Sequence, residues 1–317
     1  MNQIHIPETN LLLSPIGLGT VKAGTAWDQM ESNRIFDAYL DCRGNLIDTA
    51  RVYGEGRSEE AVGNWLKNSG KRAKVILATK GGHPKYDSVL NAYVPRMSDS
   101  DMRADLEESL KALQTDFIDL YFYHRDNRTQ NVEDEIETME RFVKEGKIRY
   151  YACSNWDTDR IMAADQYCAK NGYRGFVADQ ALLNMGMKYM DPLFESSFVR
   201  ISGDLYQYHT ATPKNLAMPY MGIAGGFFHK YIALGPKTMK TPPYCNNPYY
   251  TEENLPVAEH CKALMEKYHA TVTQIVLGFF TQQDFTCLPL YGPNTPQQIE
   301  EAFLGLNISF TKEDYLF

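Results

Sequence analysis

A chain of 317 residues, 44% hydrophobic and 23% charged, is long enough for one large core, and no run nears the roughly 18 apolar residues of a membrane span. Its formal net charge of −8, with acids spread along helical segments and no basic cluster, argues against nucleic-acid binding, which draws on grouped Lys and Arg. The six cysteines are scattered, with no Cys-x-x-Cys pair and no His at ligand spacing, so reduced thiols and no metal site are expected.

At the N-terminus, "MNQIHIPETNLLLSPIG" lacks a basic stretch leading into an apolar one, which makes the cytoplasm the default location. Within it, "IHIPETNLLLS" holds two extended pieces around Pro7 to Asn10 and predicts a β-hairpin that could plug one end of a barrel. Strands are then predicted at 16–20, 45–49, 74–80, 116–124, 148–154, 176–180, 216–220 and 286–292. Helices are predicted between them at 28–42, 58–68, 101–114, 132–145, 157–171 and 253–269, with shorter ones near 190–196, 204–211 and 295–304. The third helix illustrates the pattern: Asp99 or Ser100 can cap, and Met102, Leu106, Leu110 and Leu113 form an apolar stripe.

Eight strands alternating with helices predict an α/β fold, a (β/α)8 TIM barrel forming a single domain over 1–317. An open doubly wound sheet would call for an early glycine-rich phosphate loop, and none is present. The two longest connections, 81–100 and 229–254, both follow strands and so belong on the C-terminal rim, where such barrels build their active sites.

Asp48, Lys80 and His124 each fall at or beside the C-terminal end of a predicted strand, the second, third and fourth, and Tyr53 follows in the next loop. A barrel brings adjacent strand ends together, so these four polar groups converge. A Lys beside a phenol favours the phenolate, which predicts a Tyr53 pKa below its ordinary value of about 10, with Asp48 holding the Lys in place. Hydroxyl and amide groups at the rims of the fifth and sixth strands, Ser154, Asn155 and Gln180, offer complementary donors and acceptors.

On these residues the chain resembles the aldo-keto reductase superfamily. The stretches that carry the resemblance are "NLIDTARVYGEGRSEEAVGNWL", "VILATK", "DFIDLYFYHRDN", "EGKIRYYACSNW", "DQALLN", "YMGIAGGFF" and "LPLYGPNTPQQIEEAF", which together cover almost the whole chain. The resemblance implies hydride transfer between a nicotinamide cofactor, NADP or NAD, and a carbonyl or alcohol. Tyr53 would then be the general acid, Lys80 and Asp48 would tune it, and His124 would orient the substrate oxygen. It further implies that Ser154, Asn155 and Gln180 hold the nicotinamide carboxamide and that Tyr220 stacks on its ring. Gly19, Thr20, Asp48, Gly226, Gly292, Asn294 and Gln298 complete the expected cofactor set.

The chain also departs from its relatives. It has no Lys or Arg from Thr286 through Thr311 and Ala302 where an Asn is usual, so only a weak preference between NADPH and NADH is expected. The substrate pocket is expected to hold Trp27, Tyr86, His124, Trp156 and Phe227, with further tyrosines (Tyr231, Tyr244, Tyr249, Tyr250) from the 229–254 loop. "YHRDN", "ACSNWDTDRI" and "GGFF" resemble a bacterial branch associated with carbohydrate genes, which tilts the expected substrate toward a sugar or polyol. Two rival readings stand beside a net reductase: a cofactor-binding regulatory subunit on the same barrel, and an epimerase that oxidises and re-reduces one sugar carbon. Oligomeric state is left open.

Overall fold

A computed structural model describes residues 3–192 and 195–317. Its N-terminal hairpin pairs Ile4–His5 with Leu12–Leu13 antiparallel. Eight parallel strands follow: β1 (Gly17–Gly19), β2 (Leu46–Asp48), β3 (Ile76–Gly81), β4 (Ile118–Tyr123), β5 (Ile148–Ser154), β6 (Ala178–Gln180), β7 (Leu216–Ala217) and β8 (Leu290–Tyr291). They pair in sequence order from β1 to β7, while β8 pairs with β1. The remaining gap is bridged where the Leu288 N–H donates to the Ala217 carbonyl at 2.9 Å and that of Leu290 to Pro219 at 2.9 Å, so the sheet curls into the barrel that the alternation predicted.

The period-two pleat of the strands sorts their side chains into two cores. Leu46, Ala78, Leu120, Phe122, Ala152, Ala178, Leu216, Leu288 and Leu290 fill the barrel together with Ile6, Leu11 and Leu13 of the hairpin region. Their neighbours Ile47, Leu77, Tyr121, Tyr123, Tyr151 and Cys153 point outward beneath the helices. These are α1 (Gln29–Asp41), α2 (Arg57–Ser69), α3 (Asp99–Leu113), α4 (Val132–Lys144), α5 (Thr158–Asn171), α6 (Gly203–Ala211), α7 (Phe227–Met239), α8 (Asn254–Tyr268), α9 (Val272–Gly278) and α10 (Pro296–Gly305). Ser98, rather than Asp99 or Ser100, caps α3, its hydroxyl accepting from the Asp101 N–H.

Three segments differ from the sequence reading. The 229–254 region, read as a loop, contains most of α7, and α9 follows α8 almost directly. The 81–100 connection carries a hairpin, Lys85–Asp87 paired with Ala92–Val94. The helix expected near 190–196 includes residues 193 and 194, which lie outside the described residues, and none of its other positions is helical.

Candidate active site

At the C-terminal rim a cleft of about 790 Å³ opens over β1 to β6 and reaches the start of α7 and the segment after β8. Asp48 ends β2 and is 2% exposed. One of its oxygens, Oδ2, accepts from Lys80 Nζ at 2.6 Å, and the other, Oδ1, accepts from Gln180 Nε2 at 2.7 Å. Lys80, one residue from the end of β3, also donates to the Thr49 carbonyl at 2.8 Å, and its ammonium lies 5.1 Å from the Tyr53 ring centroid.

Tyr53 is placed by a tight turn in which Gly54, Glu55 and Gly56 all have positive φ. At Gly56 φ is 96°, a conformation that strains any residue with a Cβ, so the turn favours glycine there. His124 follows β4, with its ring centroid 5.8 Å from that of Tyr53 in an edge-on contact. Its Nδ1 is buried without a hydrogen-bond partner. The structure therefore brings the four predicted catalytic side chains to one end of the cleft.

Their electrostatics depart from the sequence reading at Tyr53. Burial pushes the phenol upward and Asp48 adds to this; Lys80 pulls the other way and does not prevail, so the pKa lies above its ordinary value. Burial lowers Lys80, but Asp48 and Tyr53 outweigh it and hold the amine charged. Burial, with Lys80 and Arg125 nearby, drives His124 well below the ordinary histidine value, which keeps its imidazole neutral.

A polar chain runs across the floor. Tyr220 OH donates to Asn155 Oδ1 at 2.7 Å, Asn155 Nδ2 to Ser154 Oγ at 3.0 Å, Ser154 Oγ to the Gln180 carbonyl at 2.8 Å, and Gln180 Nε2 onward to Asp48. Asn155 sits in the left-handed region at φ 59°, which turns its amide into the cleft rim. Gly19, Thr20, Gly226, Gly292, Asn294 and Gln298 also line the cleft. Several of them are already engaged: the Thr20 hydroxyl donates to the Asp48 carbonyl at 2.9 Å, and the Gly226 N–H donates to the Ile223 carbonyl at 2.9 Å. Asn294 N–H donates to Gln298 Oε1 at 2.6 Å.

The expected substrate aromatics are elsewhere. Trp27, Trp156 and Phe227 are buried in the core beneath the helices, because rings of that size gain more from packing than from a solvated rim. Tyr86 stands half exposed on the 85–94 hairpin, edge-on to Tyr93, and does not line the cleft. Of the tyrosines expected from 229–254, Tyr231 and Tyr249 are buried in that same core, with Tyr244 and Tyr250 packed against it.

The cleft instead takes Lys22, Val52, His83, Arg125, Phe198, His229 and Lys230. Strand-end placement could have found His83 and Arg125, which follow β3 and β4. Nothing in the local sequence marks Phe198. Among the described residues lining the cleft, Asp48 is the sole carboxylate, against the cations Lys22, Lys80, Arg125 and Lys230. In a chain of net charge −8, this concentration of positive charge suits a ligand carrying several negative charges.

The fold and this rim are those of a barrel oxidoreductase. A model of the aldo/keto reductase family matches residues 15–316. Among curated proteins the chain is 39% identical over 165 residues to the aldo-keto reductase YhdN of Bacillus subtilis, covering 51% of this chain and 49% of that one. It is 22% identical over 329 residues to an aryl-alcohol dehydrogenase of Pestalotiopsis microspora, covering 99% and 80%. An aldo/keto reductase structure from Klebsiella pneumoniae, in complex with NADP and acetate, matches with a TM-score of 0.74 at 21% identity, covering 99% of this chain and 92% of that one.

The chain belongs to the aldo/keto reductase family. It is an oxidoreductase whose cofactor is NADP or NAD. The residues present fit that group: amide and hydroxyl groups gather on one wall, an aromatic ring stands beside them, and cations lie along the remainder. Among the described residues, no helix is long and apolar enough to cross a membrane.

Proposed function

We propose that the protein interconverts a carbonyl and an alcohol on a small hydroxylated substrate, a sugar or polyol. A bound nicotinamide cofactor supplies or accepts the hydride. Tyr53, protonated at neutral pH, gives its proton to the developing alkoxide, and the Lys80 ammonium stabilises the phenolate left behind. Asp48 fixes that ammonium. The neutral His124 directs a ring nitrogen at the substrate oxygen and excludes a second positive charge from the reacting centre.

Ser154, Asn155 and Gln180 would hold the carboxamide, with Tyr220 against the ring. Lys22 would supply the cation that the segment after β8 lacks: its Nζ lies 2.6 Å from Asn294 Oδ1 and 3.2 Å from the Pro293 carbonyl.

The observation that carries the substrate reading is the trio of nitrogen-bearing side chains at the catalytic end, His83, His124 and Arg125. His83 Nδ1 lies 2.9 Å from the Pro84 carbonyl, which can only accept, so Nδ1 donates and Nε2 remains an acceptor. Donors and an acceptor around one small space suit hydroxyl groups. A second reading, an aryl alcohol or aldehyde, is favoured by the aryl-alcohol dehydrogenase relative and by Phe198 and Tyr220 in the wall. Cofactor fluorescence followed against sugars, polyols and aryl aldehydes, with NADPH and NADH, separates the two. Turnover confined to aryl aldehydes would overturn the sugar reading, and a changed sugar configuration without net cofactor consumption would mark an epimerase.

A further inference from the structure

Arg125 stands beside the catalytic His124 with its side chain 8% exposed, and its partner Glu195 is 45% exposed at the outer edge. A guanidinium carries five N–H groups in a planar fork and stays charged at any working pH. Three are engaged. Nε donates to Ser197 Oγ at 3.0 Å and leans on Glu195 Oε1 at 3.5 Å, Nη2 donates to Glu195 Oε2 at 3.1 Å, and Nη1 donates to the His124 carbonyl at 2.8 Å. One N–H on each terminal nitrogen is left over, and the residue lines the cleft.

Glu195 and Ser197 do not line it, so the neutralising acid sits behind the cation as seen from the substrate. The charge is still felt inside: it acts to lower His124, His83 and the Tyr53 phenol. Phe198 flattens one face of the guanidinium at 5.3 Å and restricts how it can turn.

Building on the hydroxylated-carbonyl reading, we propose that Arg125 anchors a carboxylate on the substrate, so that the preferred substrates are carbonyl compounds carrying an acid group, sugar acids in particular. Two parallel N–H groups match the two oxygens of a carboxylate, and a buried fork already held on its other edge loses little freedom on binding. Arg125 is thus a specificity-determining residue beside the acid–base group.

The test compares matched acid and neutral substrates: D-glucuronate with D-glucose, succinic semialdehyde with butanal, and D-glyceraldehyde 3-phosphate with D-glyceraldehyde. Wild type should favour each carboxylate by about tenfold or more in kcat/KM, mostly through KM. Arg125→Lys should lower the acid-to-neutral ratio by about tenfold, because the charge stays and the fork is lost. Glu195→Gln should raise that ratio, because the guanidinium is then unshared. Calorimetric binding of succinate against 1,4-butanediol to the cofactor-loaded protein gives a readout independent of turnover.

Equal ratios in wild type and both variants would overturn the assignment and leave Arg125 as a staple for residues 195–198. A preference confined to the phosphate would overturn the carboxylate. Carbonyl turnover without acid preference would overturn this inference alone, whereas absence of turnover on any carbonyl would remove the functional reading beneath it.

Discussion

At the end of β2 a buried ammonium and carboxylate lie beside the half-buried phenol of Tyr53, and their balance sets how pH acts. Tyr53 is held above its ordinary value by burial and by Asp48 against the pull of Lys80, so the protonated form needed for reduction persists through neutral pH. Reduction should therefore stay flat and fall only as pH climbs through the raised phenol pKa, while alcohol oxidation, which needs the phenolate, rises over the same range. Lys80→Met removes the largest influence that lowers the phenol, leaving the weaker pull of Arg125 and moving the pKa further up. Oxidation at neutral pH should then suffer more than reduction, and pH–rate profiles in both directions would read the difference. Tyr53→Phe should cut carbonyl reduction by about 10²-fold or more with cofactor dissociation constants nearly unchanged, since the ring still packs and only the donor is lost. Comparable turnover by this variant would remove Tyr53 from the mechanism.

Elements were legible where one rule governed them. β4, "IDLYFY", is buried on both faces, and α4 carries a clean apolar stripe. The rest failed for identifiable reasons. In α7, Gly235 and Pro236 punctuate "KYIALGPKTM" like a loop, and the helix does kink there, at a Gly235 with φ 75° and ψ 162°, but helical pieces stand on both sides of the kink, anchored by the buried Phe227, Phe228, Tyr231 and Met239. The site shows the same split. Asp48, Lys80 and His124 could be read from strand ends, whereas the contribution of Lys22 depends on the loop after β1 folding onto residues 292–294, a contact across 270 residues of sequence. That loop carries its own prediction. Lys22 is half buried, and desolvation lowers its pKa; Lys22→Met should weaken NADPH more than NADH, by about tenfold for one lost charge-assisted contact. Fluorescence titration of both cofactors checks this, and an unchanged ratio would move the discriminating contact elsewhere, with Lys230 next in line.

Across the whole molecule, stability and chemistry occupy opposite ends of one barrel. Ile6, Leu11 and Leu13 of the hairpin region join the barrel core with Leu46, at the end opposite the rim that holds Tyr53. Leu13→Ala should cost about 2–5 kcal/mol in unfolding free energy, read as a lower urea midpoint, with kcat hardly altered. A comparable loss of kcat would mean that the barrel transmits strain along its strands. The polar chain from Tyr220 through Asn155, Ser154 and Gln180 to Asp48 and Lys80 bears on how the protein keeps its accounts with solvent protons. Because the wall that would receive the nicotinamide is wired to the group that sets the acidity of Tyr53, the oxidised ring, which is positively charged, should draw a fraction of a proton out of the phenol as pH approaches the raised phenol pKa, and the neutral reduced ring should not. Binding heats measured in buffers of different ionisation enthalpy would then diverge for one cofactor state and coincide for the other, making the enzyme a proton-coupled sensor of its own redox partner before any substrate arrives.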